Sequence, residues 1–442
     1  MIWSKIEQDL PQRFNGNVLL AQDHKILLQQ AYGESNITTK KPLHNTTLFN
    51  LASVSKPITA LATLLLIQNY NVSLQTNIQN IFPDFPYSNI TIENLLQHAA
   101  GLPDYMALVA THNTKEYVTN QDIYTLLITH QPDRLFQSNE NMAYSNTGYV
   151  LLALIIEHVS NMSFEHFLQQ FIFQPLQMHN TIVGSPHILK ERGDIAQPYI
   201  YDIYQGAHIS PEQFKETQPL MCMNFLHGDG NIYASTTDLH KLGLAILHNT
   251  LWDKDLLRKA LTPSEQSRQN GMGYGYGFII SEDEVLGQCI WHNGGWPGVN
   301  TTFKIYPQHQ LIFVYLRNKE QNLDYDLALG EAIEHAYCTQ SFNPPQKPKL
   351  EKAILLPVSQ LQLYTGTYQV DEHPEHAIDV FIDDETHLTI SLPATMPLQL
   401  HARSLDTFFV RGIGVTITFV NNMLTITQSD AVNTATKISP TQ

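Results

Sequence analysis

Near the N-terminus, apolar residues run from Asn17 to Ala21 and from Lys25 to Ala31 on either side of Gln22-Asp23-His24, a pattern that predicts a β-hairpin. Helical periodicity then takes over. Ser55 to Gln68, Thr91 to Ala99 (closed by Gly101 and Pro103), Gln121 to Thr129, Thr147 to Val159 and Ser163 to Phe173 each space their apolar residues for one helix face. A further helix is expected from Thr236 to Leu247, started by Ser235-Thr236-Thr237-Asp238. Strands are expected at Tyr276 to Ile280, Val285 to Trp291, Thr301 to Tyr306 and Leu311 to Leu316, then a helix from Asp324 to Tyr337. Early and late strands around a helical middle predict an α/β (α+β) fold, a mixed antiparallel sheet flanked by helices with a helical subdomain.

The pattern changes after Tyr337. Ser341-Phe342-Asn343-Pro344-Pro345-Gln346-Lys347-Pro348-Lys349 has too few apolar residues to pack as an element and reads as a linker. Beyond it come short alternating runs such as Ala377 to Ile382, Val415 to Val420 and Met423 to Gln428, with Asn421-Asn422 as a turn. The expected division is a large domain over 1–340, a proline-rich linker over 341–357 and a small antiparallel β-barrel over 358–442.

Composition narrows the function classes. The chain has 442 residues, 43% of them apolar, and a formal charge of −16, which opposes non-specific attraction to nucleic acid or to an anionic membrane. No uninterrupted apolar run approaches the roughly eighteen residues of a membrane span. The first residues, Met1-Ile2-Trp3-Ser4-Lys5, lack a basic head and an apolar stretch, so the chain as given is expected in the cytoplasm, or in the periplasm or medium if a leader has been removed. Cys222, Cys289 and Cys338 are widely spaced and odd in number, which predicts neither a disulfide framework nor a zinc site. The densest ligand cluster, Asp371-Glu372-His373-Pro374-Glu375-His376, is broken by Pro374 and reads as a polar loop. No cofactor and no metal are expected.

One segment stands out chemically. Ser53-Val54-Ser55-Lys56 places a hydroxyl and an amine three residues apart at a helix start, where they share a face and the amine can help activate the hydroxyl as a nucleophile. The four-residue pattern alone is also what an ordinary capped helix looks like. Acyl chemistry at Ser53 would further need a proton shuttle and an oxyanion site. Tyr144-Ser145-Asn146 offers a phenol and an amide just before a helix, and His292-Asn293-Gly294-Gly295 offers a polar or cationic group followed by glycines that let backbone approach a substrate. Tyr87-Ser88-Asn89 repeats the Tyr-x-Asn pattern, but it leads into a helix start and reads as a turn in which the serine or asparagine caps.

Together, Phe49-x-x-Ala52-Ser53-x-x-Lys56, Tyr144-x-Asn146 and His292-x-Gly294 resemble, in order and broad spacing, the serine β-lactamase-like hydrolases: class C β-lactamases and low-molecular-mass penicillin-binding DD-peptidases. Leu95-Leu96-Gln97-His98-Ala99-Ala100-Gly101-Leu102-Pro103 and the Gly228-Asp229-Gly230 turn before Ser235-Thr236-Thr237-Asp238-Leu239 also resemble that family, over about Phe14 to Tyr337. The resemblance implies a β-lactamase/transpeptidase-like fold and a small-molecule or peptide substrate. It implies catalytic roles for Ser53 (nucleophile), Lys56 (its activation), Tyr144 (general base and shuttle) and His292. It also implies substrate-binding roles for Asn146, Gly294 and Gly295, with the backbone N–H groups of Ser53 and Gly295 as the oxyanion hole. His292 stands where β-lactamases usually carry lysine and looks more like the DD-peptidases and D-amino-acid amidases. Asn293 replaces the family's usual threonine, whose hydroxyl touches a substrate carboxylate. Esterase or D-amino-acid peptidase chemistry is therefore expected ahead of a β-lactamase, with a non-catalytic scaffold as the reading of another class. The segment Leu361-Gln362-Leu363-Tyr364-Thr365-Gly366-Thr367-Tyr368 resembles the opening of a lipocalin-like barrel.

Overall fold

The structure is a computed structural model that describes all residues except 1, 215–216, 270, 321, 384–386, 392–396, 412–413, 429–430 and 439–442. The chain forms two compact units. The first holds 1–200, 209–320 and 329–344, and the second holds 201–208, 321–328 and 345–442.

The first unit is built on a seven-stranded antiparallel sheet in the order Met272–Tyr274, Ile279–Asp283, Gly287–Trp296, Val299–Tyr306, Leu311–Arg317, Gly16–Gln22, Lys25–Tyr32. Gly16–Gln22 and Lys25–Tyr32 form the expected hairpin, and both ends of the segment meet because Asn17 to Gln22 pair with Leu316 to Leu311. Leu311–Arg317 is buried at every position, as a central strand covered on both faces must be. Helix Thr236–His248 lies against it with Gly243 directly over Ile312, and Ser235 caps the helix by accepting the Asp238 N–H.

The helical part centres on helices Ser55–Asn69 and Asn146–Ser160, which pack on each other. Residues 55–66 are all buried, so this helix is apolar all round rather than striped, as a helix enclosed on every side requires. Three expectations need correction. The helix expected over Thr91 to Ala99 spans only Ile92–Leu96, because His98 takes a left-handed φ of 57° and turns the chain before Gly101 is reached. Its cap is Thr91, in a capping box with Asn94, and neither Ser88 nor Asn89. The strand expected over Tyr276 to Ile280 begins only at Ile279 and runs on to Asp283; a tight turn at Gly277 (φ 77°), which short-range alternation does not reveal, separates it from a preceding strand Met272–Tyr274.

The second unit contains a closed antiparallel barrel of strands Gly366–Val370, Ala377–Asp383, His387–Ser391, Leu398–Ala402, Thr407–Phe409, Val415–Val420, Met423–Gln428 and Ala431–Lys437, the last pairing with the first. Inward positions such as Tyr368, Ile378, Val380, Leu388, Ile390, Leu400, Ile417 and Leu424 fill it with side chains. Closure removes the sheet edges that a small antiparallel sheet would otherwise expose. Residues 201–208 belong to this unit, with Tyr201 and Ile203 packed against Ala353 and Phe409.

Candidate active site

Ser53 sits on a single 3₁₀ turn, Ala52–Val54, that feeds helix Ser55–Asn69. It is not an N-cap: Val54 occupies that position and makes no side-chain cap bond. The turn is strained and clamped. Ala52 has φ 47°, a left-handed value that L-residues other than Asn and Asp rarely adopt. The Ala52 N–H donates to Asn50 Oδ1 (2.9 Å), the Leu51 N–H to the Ile232 carbonyl (2.8 Å), and Thr301 Oγ1 donates to the Leu51 carbonyl (2.7 Å). Ser53 is thereby held by the chain around it.

Lys56, one turn on, is fully buried, and its Nζ donates to Ser53 Oγ (2.9 Å), Asn146 Oδ1 (2.9 Å) and the Asp229 carbonyl (3.0 Å). Three acceptors match the three N–H donors of an ammonium group. Asn146 opens helix Asn146–Ser160. Its Oδ1 is committed to Lys56, and the residue lines the cleft. Tyr144 precedes that helix, is 45% exposed, and places its ring centroid 4.9 Å from Lys56 Nζ.

His292, Asn293, Gly294 and Gly295 do not follow a strand. They lie inside Gly287–Trp296, which runs five residues past the expected end at Trp291 and pairs with Val299–Tyr306 from Ile290 to Trp296. Gly294 is glycine for a steric reason: a Cβ there would stand 2.3 Å from the Leu51 carbonyl oxygen, 2.4 Å from Thr301 Oγ1 and 2.9 Å from the Ser53 nitrogen. The strand thus rests on the Ser53 turn. A Cβ on Gly295 would meet nothing within 4 Å, because Gly295 borders an open cleft together with Ser53, Tyr144 and Asn146.

His292 is placed differently. It is 1% exposed, its Nε2 lies 3.2 Å from Tyr274 Oη and its Nδ1 2.5 Å from the Asn293 carbonyl, and it does not line the cleft. Burial, reinforced by the nearby Lys56 charge, pushes its pKa down to about 3, so the ring is neutral and the cationic option fails. His98 is buried as well, and burial followed by Lys56 holds its pKa well below the usual histidine value. Its Nδ1 accepts the Ser145 N–H (3.1 Å), and its ring packs 4.5 Å from both Tyr144 and Tyr274. It therefore supports the loop that carries Tyr144. Tyr87 stays remote from all this, buried and donating to the Pro132 carbonyl (2.7 Å).

Several cleft residues were not read from the sequence. Asp229 lines the cleft and receives the Tyr105 hydroxyl on Oδ2 (2.7 Å), and burial raises its pKa. Its one visible signal was an acid between the glycines of Gly228-Asp229-Gly230. Tyr105 follows Asp104, which caps helix Tyr105–His112, and Trp296 closes the strand of Gly295 with its indole N–H on Asn224 Oδ1 (2.7 Å). Among the described residues, Asp23, His24 and His248 form the one group whose ligand atoms all lie within 4.8 Å of one another, at the hairpin turn away from this cleft. The Asp371-to-His376 segment shows exposed His–Glu pairs instead, with His373 Nδ1 3.3 Å from Glu375.

A hydroxyl held by a buried amine, a phenol over that amine and a glycine strand resting on the hydroxyl's turn define the layout of a serine acyl-transfer enzyme. The Beta-lactamase family model matches residues 3–337, and the chain belongs to this family of serine hydrolases. Penicillin-binding protein 4* of Bacillus subtilis (strain 168) is 33% identical over 409 residues, 92% of this chain and 90% of its own length. The octameric penicillin-binding protein homologue from Pyrococcus abyssi shares the fold across 98% of this chain and 99% of its own (TM-score 0.65, 20% identity). A D-amino acid amidase from Ochrobactrum anthropi SV3 does so across 77% and 97% (TM-score 0.60, 21% identity). No helix among the described residues is long and apolar enough to cross a membrane.

Proposed function

We propose that this chain is a hydrolase of ester, amide or peptide carbonyls that works through an acyl-enzyme at Ser53. The observation that carries the reading is Lys56 Nζ, which ties Ser53 Oγ, Asn146 Oδ1 and the Asp229 carbonyl to one buried point at the cleft. With its three N–H groups given to oxygens, Lys56 holds Ser53 Oγ in place and has no lone pair to spare. Tyr144 then acts as a phenolate, its charge stabilised by the neighbouring Lys56 ammonium, and takes the Ser53 proton to become a phenol as Oγ attacks the carbonyl carbon. The oxyanion is received by the backbone N–H groups of Ser53 and Gly295. The proton passes from Tyr144 to the leaving oxygen or nitrogen, the carbonyl-to-leaving-group bond breaks, and Ser53 is left acylated. Water then repeats the sequence, giving its proton to Tyr144 and releasing the acid while Ser53 recovers a proton. Asn146 presents its N–H₂ to the substrate amide. His292, neutral and behind Tyr274, acts on the orientation of the glycine strand.

Within this family the preferred reading is an esterase or D-amino-acid peptidase. It draws support from the likeness to the D-amino acid amidase, from neutral His292 and from Asn293 in place of a carboxylate-binding threonine. The test is labelling of wild type and Ser53→Ala with a fluorophosphonate and a fluorescent penicillin, alongside turnover of a p-nitrophenyl ester and nitrocefin. Wild type is expected to label and to turn over the ester, and Ser53→Ala to do neither. Equal behaviour of the two proteins with every reagent overturns the proposal, and nitrocefin turnover rivalling the ester favours a β-lactamase.

A further inference from the structure

The first hairpin turn and the end of a helix meet in a set of side chains that acyl transfer does not use. Asp23 and His24 form the turn between strands Gly16–Gln22 and Lys25–Tyr32, and His248 is the last residue of helix Thr236–His248. His248 Nε2 lies 2.7 Å from Asp23 Oδ1, and His24 Nε2 lies 3.9 Å from the same oxygen, so both nitrogens converge on one carboxylate. The two rings stand nearly parallel, with an interplanar angle of 7° and centroids 6.0 Å apart. All three side chains are open to solvent, from 36% for Asp23 to 75% for His24. The backbone beneath them is fixed. The Asp23 N–H donates to the Gln310 carbonyl (2.7 Å), and buried His240, on the same helix as His248, donates from Nε2 to the Asp23 carbonyl (2.8 Å). Turn and helix are thereby held at one separation before any ligand arrives.

We propose that Asp23, His24 and His248 form a binding site for a divalent transition-metal ion of the zinc type, which clips the hairpin turn to the helix end. Two imidazole nitrogens and one carboxylate oxygen suit zinc, nickel or copper, whereas magnesium and calcium seek shells made of oxygen. A tetrahedral ion with ligands at about 2.0–2.2 Å holds neighbouring ligand atoms about 3.3–3.6 Å apart. The separations of 2.7 and 3.9 Å straddle that span, so shifts of under about 1 Å by exposed side chains bring the three ligands into place, with water in the remaining position. The ion takes the place of the hydrogen between His248 Nε2 and Asp23. Its charge lies at the carbonyl end of the helix, the end that favours cations. Distance along the chain hides the site, since His248 is 225 residues from Asp23. The histidine-rich segment that stands out in the sequence is the poorer one. Glu375 lies 3.3 Å from His373 and 3.9 Å from His376, but those rings are turned 49° apart and their ligand atoms do not all come within 4.8 Å of one another.

The experiment is calorimetric titration of the EDTA-treated, full-length protein with zinc chloride at about pH 7.5, on wild type, His24→Ala, His248→Ala and His376→Ala. Wild type is expected to bind one zinc ion ahead of any other. His24→Ala and His248→Ala are each expected to weaken that ion by at least about tenfold, since loss of even an outer-shell partner of a metal costs about 10- to 100-fold. His376→Ala is expected to bind it as wild type does. Zinc at about a hundredfold excess over its Kd is expected to raise the wild-type Tm by about 3 °C, and to raise that of His24→Ala by about half as much or less. Magnesium chloride at the same concentration is expected to shift neither. Lowering the pH to about 5.5 is expected to weaken zinc binding, because protons compete for both imidazoles. His24 is exposed, so His24→Ala keeps the fold and the test stands even where His248→Ala loses stability. No zinc binding by wild type overturns the proposal. So does a loss of less than about tenfold in His24→Ala, or a Tm shift from magnesium as large as that from zinc.

Discussion

Gly294→Ala is the sharpest probe of how the centre is held. The new methyl carbon would start 2.3 Å from the Leu51 carbonyl oxygen and 2.4 Å from Thr301 Oγ1. A carbon–oxygen contact relaxes only at about 3.3 Å, so the strand must withdraw from the Ser53 turn by about 1 Å. Both contacts are on clamped atoms, because Leu51 receives Thr301 and the Leu51 N–H is fixed to Ile232. Overpacking of this kind costs about 1–3 kcal/mol, which for a unit of this size lowers Tm by roughly 1.5–4 °C. The neighbouring residue, Gly295, carries one of the proposed oxyanion donors, and a 1 Å displacement of such a donor lowers kcat by about 10²-fold. Gly295→Ala is the internal control. Its Cβ meets nothing within 4 Å, so Tm is expected to stay within about 1 °C of wild type while KM changes because the methyl enters the cleft. Thermal scans and steady-state kinetics on a p-nitrophenyl ester read both effects. If Gly294→Ala keeps kcat within twofold of wild type, or if Gly295→Ala loses as much stability, the strand is not what positions the Ser53 turn.

Other outcomes follow from the same geometry. Lys56→Met removes the nitrogen shared by Ser53, Asn146 and Asp229, and is expected to lower kcat by about 10³-fold and to slow fluorophosphonate labelling of Ser53 in parallel; labelling at the wild-type rate would contradict its role. His98→Phe leaves the buried Ser145 N–H without its acceptor, at about 1–3 kcal/mol, and frees Tyr144 to shift; kcat is expected to fall more than KM rises, and a pure KM effect would count against a supporting role. The depressed pKa of His292 fixes a pH dependence. Between about pH 6.5 and pH 3 the unfolded chain protonates this histidine and the folded chain does not, so stability is lost as pH falls through that window, by at most about 1.4 kcal/mol per pH unit, and His292 contributes no slope above it. Urea midpoints at pH 7.5, 6.0 and 5.0 check the sign, and His292→Gln is expected to show a shallower decline; an identical decline would remove His292 as its source.

The fold was legible where apolar residues recur with a clear period. The first hairpin, the long helices after Ser55 and Asn146 and the closing strand Leu311–Arg317 were placed to within a residue or two, because each buries a face or an entire element. Turns made by unexpected residues were not legible. His98 ends its helix in a left-handed conformation that sequence rules assign to glycine, and the reader looks three residues too far, to Gly101. The site showed the same divide. Ser53, Lys56, Tyr144 and Asn146 come together from segments whose order matched a known pattern, but the protonation state of His292 depends on its burial, with Tyr274 against its ring and the Lys56 charge nearby, which no local spacing encodes. Asp229 was passed over because glycines on both sides made the segment look like a turn and nothing else.

The centre is assembled by main-chain contact more than by side-chain reach. Gly294 lets a strand lie on the Ser53 turn, and Gly228, at φ 99°, lets the Asp229 turn lie on helix Asn146–Ser160, where a Cβ would stand 2.1 Å from the Tyr149 carbonyl oxygen. Each glycine carries beside it a residue that faces the cleft, Gly295 in one case and Asp229 in the other. Backbone in contact with backbone has few ways to relax, so these neighbours are fixed to a precision that flexible side chains could not give them. Thr59 Oγ1, buried on the helix of Lys56, adds a hydrogen bond of 2.7 Å to the Gly228 carbonyl and locks the second contact to the first. The substrate-facing groups on the two sides of Lys56 are therefore one rigid frame. A change of substrate class would come more readily from replacing Asp229 or Tyr105 within that frame than from moving any part of it.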